Sequence, residues 1–303
     1  MKLFLTGGTG FVGSYFTRRF LEEGHEVTIL TRSAGRGDEE KKGGVSWVQG
    51  DPTVAGPWQE SLSGHDAVIN LAGSTIFTPW TSKARKVIED SRILTTRNLV
   101  DALEKTSGPV TLLSGSAVGY YGGRLDDAVI TENTPPGDDF LARLGVKWEQ
   151  EALRAETRGV TVAICRLGIV LGRDGGALSK MIPPFKRYMG SHLGSGKQWF
   201  PWIHMEDLFR IFLFLLEKPE LKGPFNCTAP NPLTNKEFAR VLAKALGTSV
   251  LMPGLPAVMI RMALGDFGEV VLKGQRAVPH RLLEEGFVFR FSRAEEALAD
   301  LLK

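Results

Sequence analysis

The sequence predicts an α/β fold, a doubly wound parallel sheet with a smaller, mostly helical C-terminal lobe. Three observations carry that expectation. Short continuous apolar runs alternate with longer helical patterns through the first half; a glycine-rich turn joins the first run to the first helix; and after about Arg173 prolines break the rhythm into shorter pieces. A chain of 303 residues admits one large domain or two medium ones. Hydrophobic residues make up 43% and charged residues 23%, ordinary for a globule with a substantial core. That excludes a disordered tail, a collagen-like repeat and a disulfide scaffold.

Taken in order, Lys2–Thr6, Glu26–Thr31, Val45–Gln49, Asp66–Leu71, Val110–Ser114 and Val160–Leu167 read as strands. Their apolar residues run on instead of alternating, as in strands buried on both faces. Helical patterns lie between them at Gly13–Glu23, Ser82–Thr106 and Phe140–Arg158. Such strand–helix alternation predicts parallel pairing. The stretch Arg36–Lys42 mixes charges and reads as a solvated loop. Beyond Arg173, Pro183-Pro184, Pro201, Pro219, Pro224, Pro230 and Pro232 punctuate the chain. Amphipathic helices are expected at Met205–Glu217, Thr234–Leu246, Pro256–Leu272 and Ser292–Leu302, with Thr234 and Glu237 spaced as a capping box.

Composition narrows the functional classes. With 37 Lys+Arg against 34 Asp+Glu, a formal charge of +3 is too weak to argue for nucleic acid or an anionic membrane. Cys165 and Cys227 each lie in an apolar run, which reads as buried reduced thiols, although a disulfide stays open. The five histidines are scattered without ligand spacing, so no metal site is expected. The apolar stretch Phe209–Leu216 is interrupted by Arg210, and the N-terminal apolar run is too short for a signal-peptide core. A cytoplasmic or organelle-matrix protein is expected.

The 35 glycines are the unusual count, and their densest functional cluster is Gly7-Gly8-Thr9-Gly10-Phe11-Val12-Gly13. It follows a strand pattern and opens a helical one. Glycines give a tight turn and let backbone amides approach a pyrophosphate, which then sits at the positive end of the helix. Gly13 permits close helix–sheet packing. This context marks residues 1–173 as a Rossmann-like dinucleotide-binding domain, with later segments returning to the sheet, and residues 174–303 as the smaller substrate lobe. The second strand ends Thr31-Arg32-Ser33, with no acid to accept a bond from a ribose 2′-hydroxyl. Arg32 offers a planar fork for a 2′-phosphate and its neighbours add hydroxyls. NADP(H) is therefore expected over NAD; a solvated loop arginine is the alternative.

TGGTGFVG, then Gly50-Asp51-Pro52, then Asn70-Leu71-Ala72-Gly73 together resemble an extended short-chain dehydrogenase/reductase. Ser114-Gly-Ser116-Ala-Val-Gly-Tyr120-Tyr121-Gly122, Arg166 to Gly176 and Gly194 to His204 resemble its "epimerase family" subgroup, essentially end to end. The resemblance implies that Asp51 and Pro52 meet the adenine. It places Asn70, Leu71, Ala72 and Gly73 on the cofactor, with Ser114 and Gly115 beside them.

The resemblance also implies a serine and a Tyr-x-x-x-Lys pair, since a phenol near pKa 10 needs a cation to act at neutral pH. Residues four after Tyr15, Tyr120, Tyr121 and Tyr188 are Arg19, Arg124, Leu125 and His192. The pair is missing: opposite Lys147 stands Arg143, and a register following Glu149 pairs Leu141 with Gly145. Ser116 matches the serine, with Ser114 as rival, and Tyr121 and Lys147 complete the candidate catalytic set. Trp199, Phe200, Pro201 and Trp202 serve either as a substrate-cleft wall or as packing between lobe and sheet. His204 is not assigned to catalysis, and Asp207 is expected to cap the following helix. Two functions follow: an NADP(H)-dependent oxidoreductase or nucleotide-sugar epimerase acting on a small polar molecule, or a silent NADP(H)-binding sensor or partner module. A monomer or homodimer is expected, the resemblance pointing to the helices in 82–106 and 140–158 as the pairing surface.

Overall fold

Leu3, Phe4 and Leu5 are fully buried in the first strand, as their unbroken apolar run requires. The protein was analysed as a computed structural model that describes residues 1–33, 44–104, 106 and 108–303; the charged stretch Arg36–Lys42 lies outside them. In chain order the elements are β1 (Lys2–Thr6), α1 (Phe11–Glu22), β2 (Glu26–Thr31), β3 (Val45–Gln49), β4 (Ala67–Asn70), α2 (Ser82–Leu103), β5 (Thr111–Ala117), β6 (Val129–Ile130), α3 (Phe140–Leu153), β7 (Thr161–Leu167) and β8 (Ile169–Gly172). There follow α4 (Gly176–Lys186), β9 (Trp199–Phe200), β10 (Trp202–His204), α5 (Met205–Glu217), β11 (Gly223–Cys227), β12 (Leu233–Thr234) and α6 (Asn235–Ala245). The chain ends with α7 (Ala257–Leu264), α8 (Phe267–Leu272), β13 (Arg276–Ala277), α9 (His280–Glu284) and α10 (Ala294–Leu301).

Seven parallel strands form one sheet in the order β11-β7-β5-β4-β1-β2-β3. The direction of winding reverses between β1 and β4, the place where ligands bind in such sheets. Successive side chains of a strand face opposite sides, so Leu3 and Leu5 enter one core and Phe4 the other. Phe16 and Phe20 of α1 meet Phe209 and Phe212 of α5 in the first core, which Leu282 and Phe287 complete. Leu99 and Leu103 of α2 and Ala152 of α3 cover the second. A third core, around Phe185, Trp202, Phe238 and Leu298, belongs to the smaller lobe.

β11, which Pro224 and Asn226 obscure as a strand, pairs with β7 and becomes the sheet edge. Two features depart from the sequence expectation. Pro183 and Pro184 lie inside α4, where buried Leu178 and Phe185 anchor the helix against the lost backbone bonds. The stretch Pro256–Leu272, expected as one helix, divides at Gly265, whose φ of +56° no regular helix accommodates.

Candidate active site

Between β1 and α1 the chain turns through Gly7, whose φ is +71°. The Gly10 N–H closes this turn onto the Gly7 carbonyl at 2.9 Å. A Cβ on Gly7 would lie 2.7 Å from the Leu71 carbonyl, and one on Gly13 only 2.1 Å from the Gly7 oxygen. Gly10 heads α1 with no side-chain cap and no acid in the first turn. The leading amides of α1 are therefore left without a capping side chain or acid, the chemistry that suits anionic oxygens. Thr9 and Gly10 are exposed and Phe11 and Val12 half-buried, while Leu71, Ala72 and the exposed Gly73 follow β4 on the opposite wall.

At the end of β2, Thr31 is buried and accepts the Ser33 N–H at 3.3 Å; Arg32 is exposed. Partial burial would raise the Asp51 carboxyl, but bonds from Thr53 and the charge of Arg32 hold it below the usual range. The Pro52 carbonyl accepts from the Asn98 amide at 2.9 Å. Cradle, helix end and donor set fit a dinucleotide laid across the carboxyl edge of the sheet.

Under the other half of that edge, Asn70 is wholly buried and its amide is spent internally. Its Oδ1 accepts from Thr6 at 2.7 Å, and its Nδ2 donates at 2.9 Å to the Thr96 hydroxyl, which also receives the Trp148 indole N–H at 2.9 Å. Ser114 is fully buried and its Oγ has no hydrogen-bond partner among the described residues. Gly115 permits close approach: a Cβ there would stand 2.9 Å from the Asn70 oxygen.

The predicted catalytic residues separate. Ser116 and Tyr121 enter one buried network. Ser116 donates to Glu149 at 2.6 Å, and Glu149 takes two bonds of 2.8 Å from Arg166. Arg166 also donates to the Tyr121 oxygen at 2.8 Å, and that hydroxyl donates to Asn226 at 2.6 Å. The cation missing from the sequence around Tyr121 is thus present in space. It does not activate the phenol: burial dominates and pushes Tyr121 up to about 12. Tyr121 is 1% exposed and engaged on both sides, so it offers no proton to a ligand in this arrangement.

Lys147 lies elsewhere, half-exposed and paired with Glu89 of α2 at 2.6 Å. Arg143 donates to the Asp138 carbonyl, and Gly145 packs on Tyr120, a Cβ there falling 3.2 Å from the Tyr120 Cα. Glu149 and Arg166 were the residues whose role the sequence reading missed. Their signal was faint but real, a lone charge within an apolar strand (Arg166) and another on an apolar helix face (Glu149), each demanding a partner.

His204, and not Asp207 as expected, caps the helix that follows. His204 caps α5, its Nδ1 accepting the Glu206 N–H at 3.0 Å, and its ring stacks on Phe291 with centroids 3.9 Å apart. Burial lowers it to about 4. Asp207 instead accepts the Arg290 and Phe291 N–H groups, each at 2.8 Å, and so fastens the C-terminal segment. Phe200 stacks on Phe238, and Trp202 is 1% exposed, which is packing within the small lobe. Cys165 and Cys227 are free, buried thiols. Among the described residues no group of three or more His, Cys, Asp or Glu could hold a metal ion. Nor is any helix among them long and apolar enough to cross a membrane.

Comparison with known proteins follows the same outline. Residues 3–227 match the model of the NAD dependent epimerase/dehydratase family, and residues 255–301 match a domain of unknown function, DUF1731. The chain is 37% identical over its whole length to a chloroplastic epimerase family protein SDR39U1 homolog of Arabidopsis thaliana, covering 87% of it. It is likewise 37% identical to epimerase family protein YfhF of Bacillus subtilis, covering all of this chain and 98% of that one. Among solved structures, human epimerase family protein SDR39U1 (isoform 2) with NADPH superposes with a TM-score of 0.87 at 33% identity, covering 99% of each chain.

Proposed function

The chain belongs to the NAD-dependent epimerase/dehydratase family, and from that premise we propose that it binds NADP(H) and exchanges hydride with a small polar substrate. The observation that carries the cofactor choice is the end of β2, where exposed Arg32 stands between two hydroxyl residues in a sequence, Thr31-Arg32-Ser33, that has no acid at the strand end. That the human relative is described with NADPH supports the same choice. In this reading the Gly7–Gly13 turn holds the pyrophosphate, and Thr31, Arg32 and Ser33 receive the 2′-phosphate. Asp51 and Pro52 border the adenine, and Leu71, Ala72, Gly73, Ser114 and Gly115 form the wall of the nicotinamide half. The bound dinucleotide supplies the hydride. The Ser116 hydroxyl already donates its hydrogen bond to Glu149, so toward a ligand it offers only an accepting oxygen and orients a hydroxyl better than a carbonyl.

A second reading, an NADP(H)-binding protein without turnover, draws on the sealed network around Tyr121 and on Lys147 standing apart from it. Titration with NADPH and NADH, followed by NADPH oxidation across carbonyl compounds and nucleotide sugars, decides among these. Tighter binding of NADH than NADPH refutes the cofactor choice. For Arg32→Ala, NADPH affinity is expected to fall about tenfold, the loss of one charge-assisted bond, with NADH unaffected. Turnover of any panel member that Ser116→Ala reduces favours the first reading; tight NADPH binding without oxidation favours the second. A cytoplasmic or organelle-matrix setting, as a monomer or homodimer, accompanies both.

A further inference from the structure

Arg92, on α2, carries a charge that no carboxylate among the described residues balances. Its guanidinium is largely out of water, and its donors reach only two backbone carbonyls, those of Ile88 and Ser74, each at 3.1 Å. Burial alone acts on it, lowering it to about 10, and no carboxylate among the described residues offsets that cost. Arg166 is the instructive contrast: also buried, it has Glu149 clasped to it at 2.8 Å. A guanidinium has five N–H donors, so most of Arg92's fork is free after those two bonds.

The position of that fork matters. The Arg92 Cζ would stand 2.9 Å from a Cβ on Gly73, so the guanidinium lies directly against the bare backbone three residues past β4. Its other side lies over Trp148, 5.3 Å from the ring centroid, and Trp148 in turn backs Gly115 on β5. Carbonyls and indole fix the guanidinium plane where the ends of β4 and β5 meet. The glycine turn after β1 and the residues ending β2 and β3 serve the other half of the crevice, so this cation adjoins the nicotinamide half.

We propose that Arg92 receives an oxyanion, a carboxylate or a phosphate, from a ligand bound in the nicotinamide half of the crevice. The inference rests on reading the crevice as a dinucleotide site. Two sources share the chemistry: the dinucleotide's own phosphates and an acidic substrate beside it. An internal structural tie to Ile88 and Ser74 is the competing role, and it makes the opposite prediction for stability. A cation held only by neutral carbonyls costs free energy when desolvated, so its removal leaves the ligand-free protein as stable as before or more so.

The test compares the wild type with Arg92→Met and Arg92→Lys by thermal unfolding and by calorimetric titration. The probes are NADPH and the small carboxylate oxamate, the latter with and without NADPH. For Arg92→Met, an unfolding midpoint no lower than wild type is expected, with a tenfold to hundredfold loss of affinity for one probe, partly restored in Arg92→Lys. Loss confined to NADPH assigns the oxyanion to the dinucleotide; loss confined to oxamate assigns it to the substrate. Affinities for both probes within twofold of wild type overturn the proposal, whatever the midpoint does. Failure of the wild type to bind NADPH overturns the proposed function instead, and oxamate titrated onto the ligand-free chain then judges Arg92 by itself.

Discussion

Glu149→Gln removes one charge from a pair with almost no contact with water, Glu149 being 6% and Arg166 3% exposed. Both carboxylate oxygens are used, Oε1 by Ser116 and the Arg166 Nε, Oε2 by the Arg166 Nη2. The glutamine keeps one acceptor but turns an amide NH2 toward a guanidinium nitrogen, donor against donor. Arg166 is left buried with neutral partners only, the Tyr121 hydroxyl and the Glu132 carbonyl. Breaking a buried pair by removing one partner costs about 3–5 kcal/mol. At ~2–4 °C per kcal/mol for a chain of this class the unfolding midpoint falls by roughly 6–20 °C. Urea denaturation at neutral pH, with the slope held common, gives the free energy directly. The double variant Glu149→Leu, Arg166→Met removes both charges together and is expected to lose clearly less than the sum of its singles, by ~2 kcal/mol or more. A loss below ~1 kcal/mol for Glu149→Gln, or strict additivity in the cycle, refutes the account of this network.

Other outcomes follow from the same geometry. Gly13→Ala places a methyl 2.1 Å from the Gly7 carbonyl and 2.7 Å from the Gly8 Cα; NADPH affinity is expected to drop by more than tenfold, read by fluorescence titration. Tyr121→Phe removes a hydroxyl bonded to Arg166 and Asn226, for an expected loss of ~1–3 kcal/mol in denaturation with NADPH affinity unchanged. His204 is held neutral in the fold down to about pH 4, against about 6.5 in the unfolded chain. The unfolded chain therefore takes up the proton first, and this group's contribution, complete above pH 6.5, is lost as pH falls toward 4. It amounts to on the order of 3 kcal/mol. His204→Asn, which keeps a capping acceptor, should flatten the stability–pH slope in that window.

Legibility in the sequence tracked how local each determinant is. The first strands announce themselves because Leu3–Leu5, Ile29–Leu30 and Val68–Ile69 are continuous apolar runs, and the Gly7–Gly13 turn is written in consecutive residues. The α5 bounds, Met205–Glu217, coincide with those expected from periodicity. What stayed hidden depends on partners distant in sequence: Ser116 with Glu149, Glu149 with Arg166, Tyr121 with Asn226, and Asp207 with the amides of Arg290 and Phe291. For Arg92 the informative fact is a partner not supplied, which no local pattern expresses.

The sheet order has a consequence for synthesis on the ribosome. β7 closes one flank of the growing sheet, yet its neighbour β11 begins only at Gly223. Until then the edge of β7 stands open, the kind of edge that pairs with other chains. Phe287, needed to complete the core under α1 and α5, emerges roughly 60 residues after β11, ~3–12 s later at ~5–20 residues per second. A nascent chain stalled between these points holds the whole glycine turn and the edge strand but not a finished core. Premature termination after residue 227 is therefore expected to yield aggregates or degradation products instead of a small nucleotide-binding fragment.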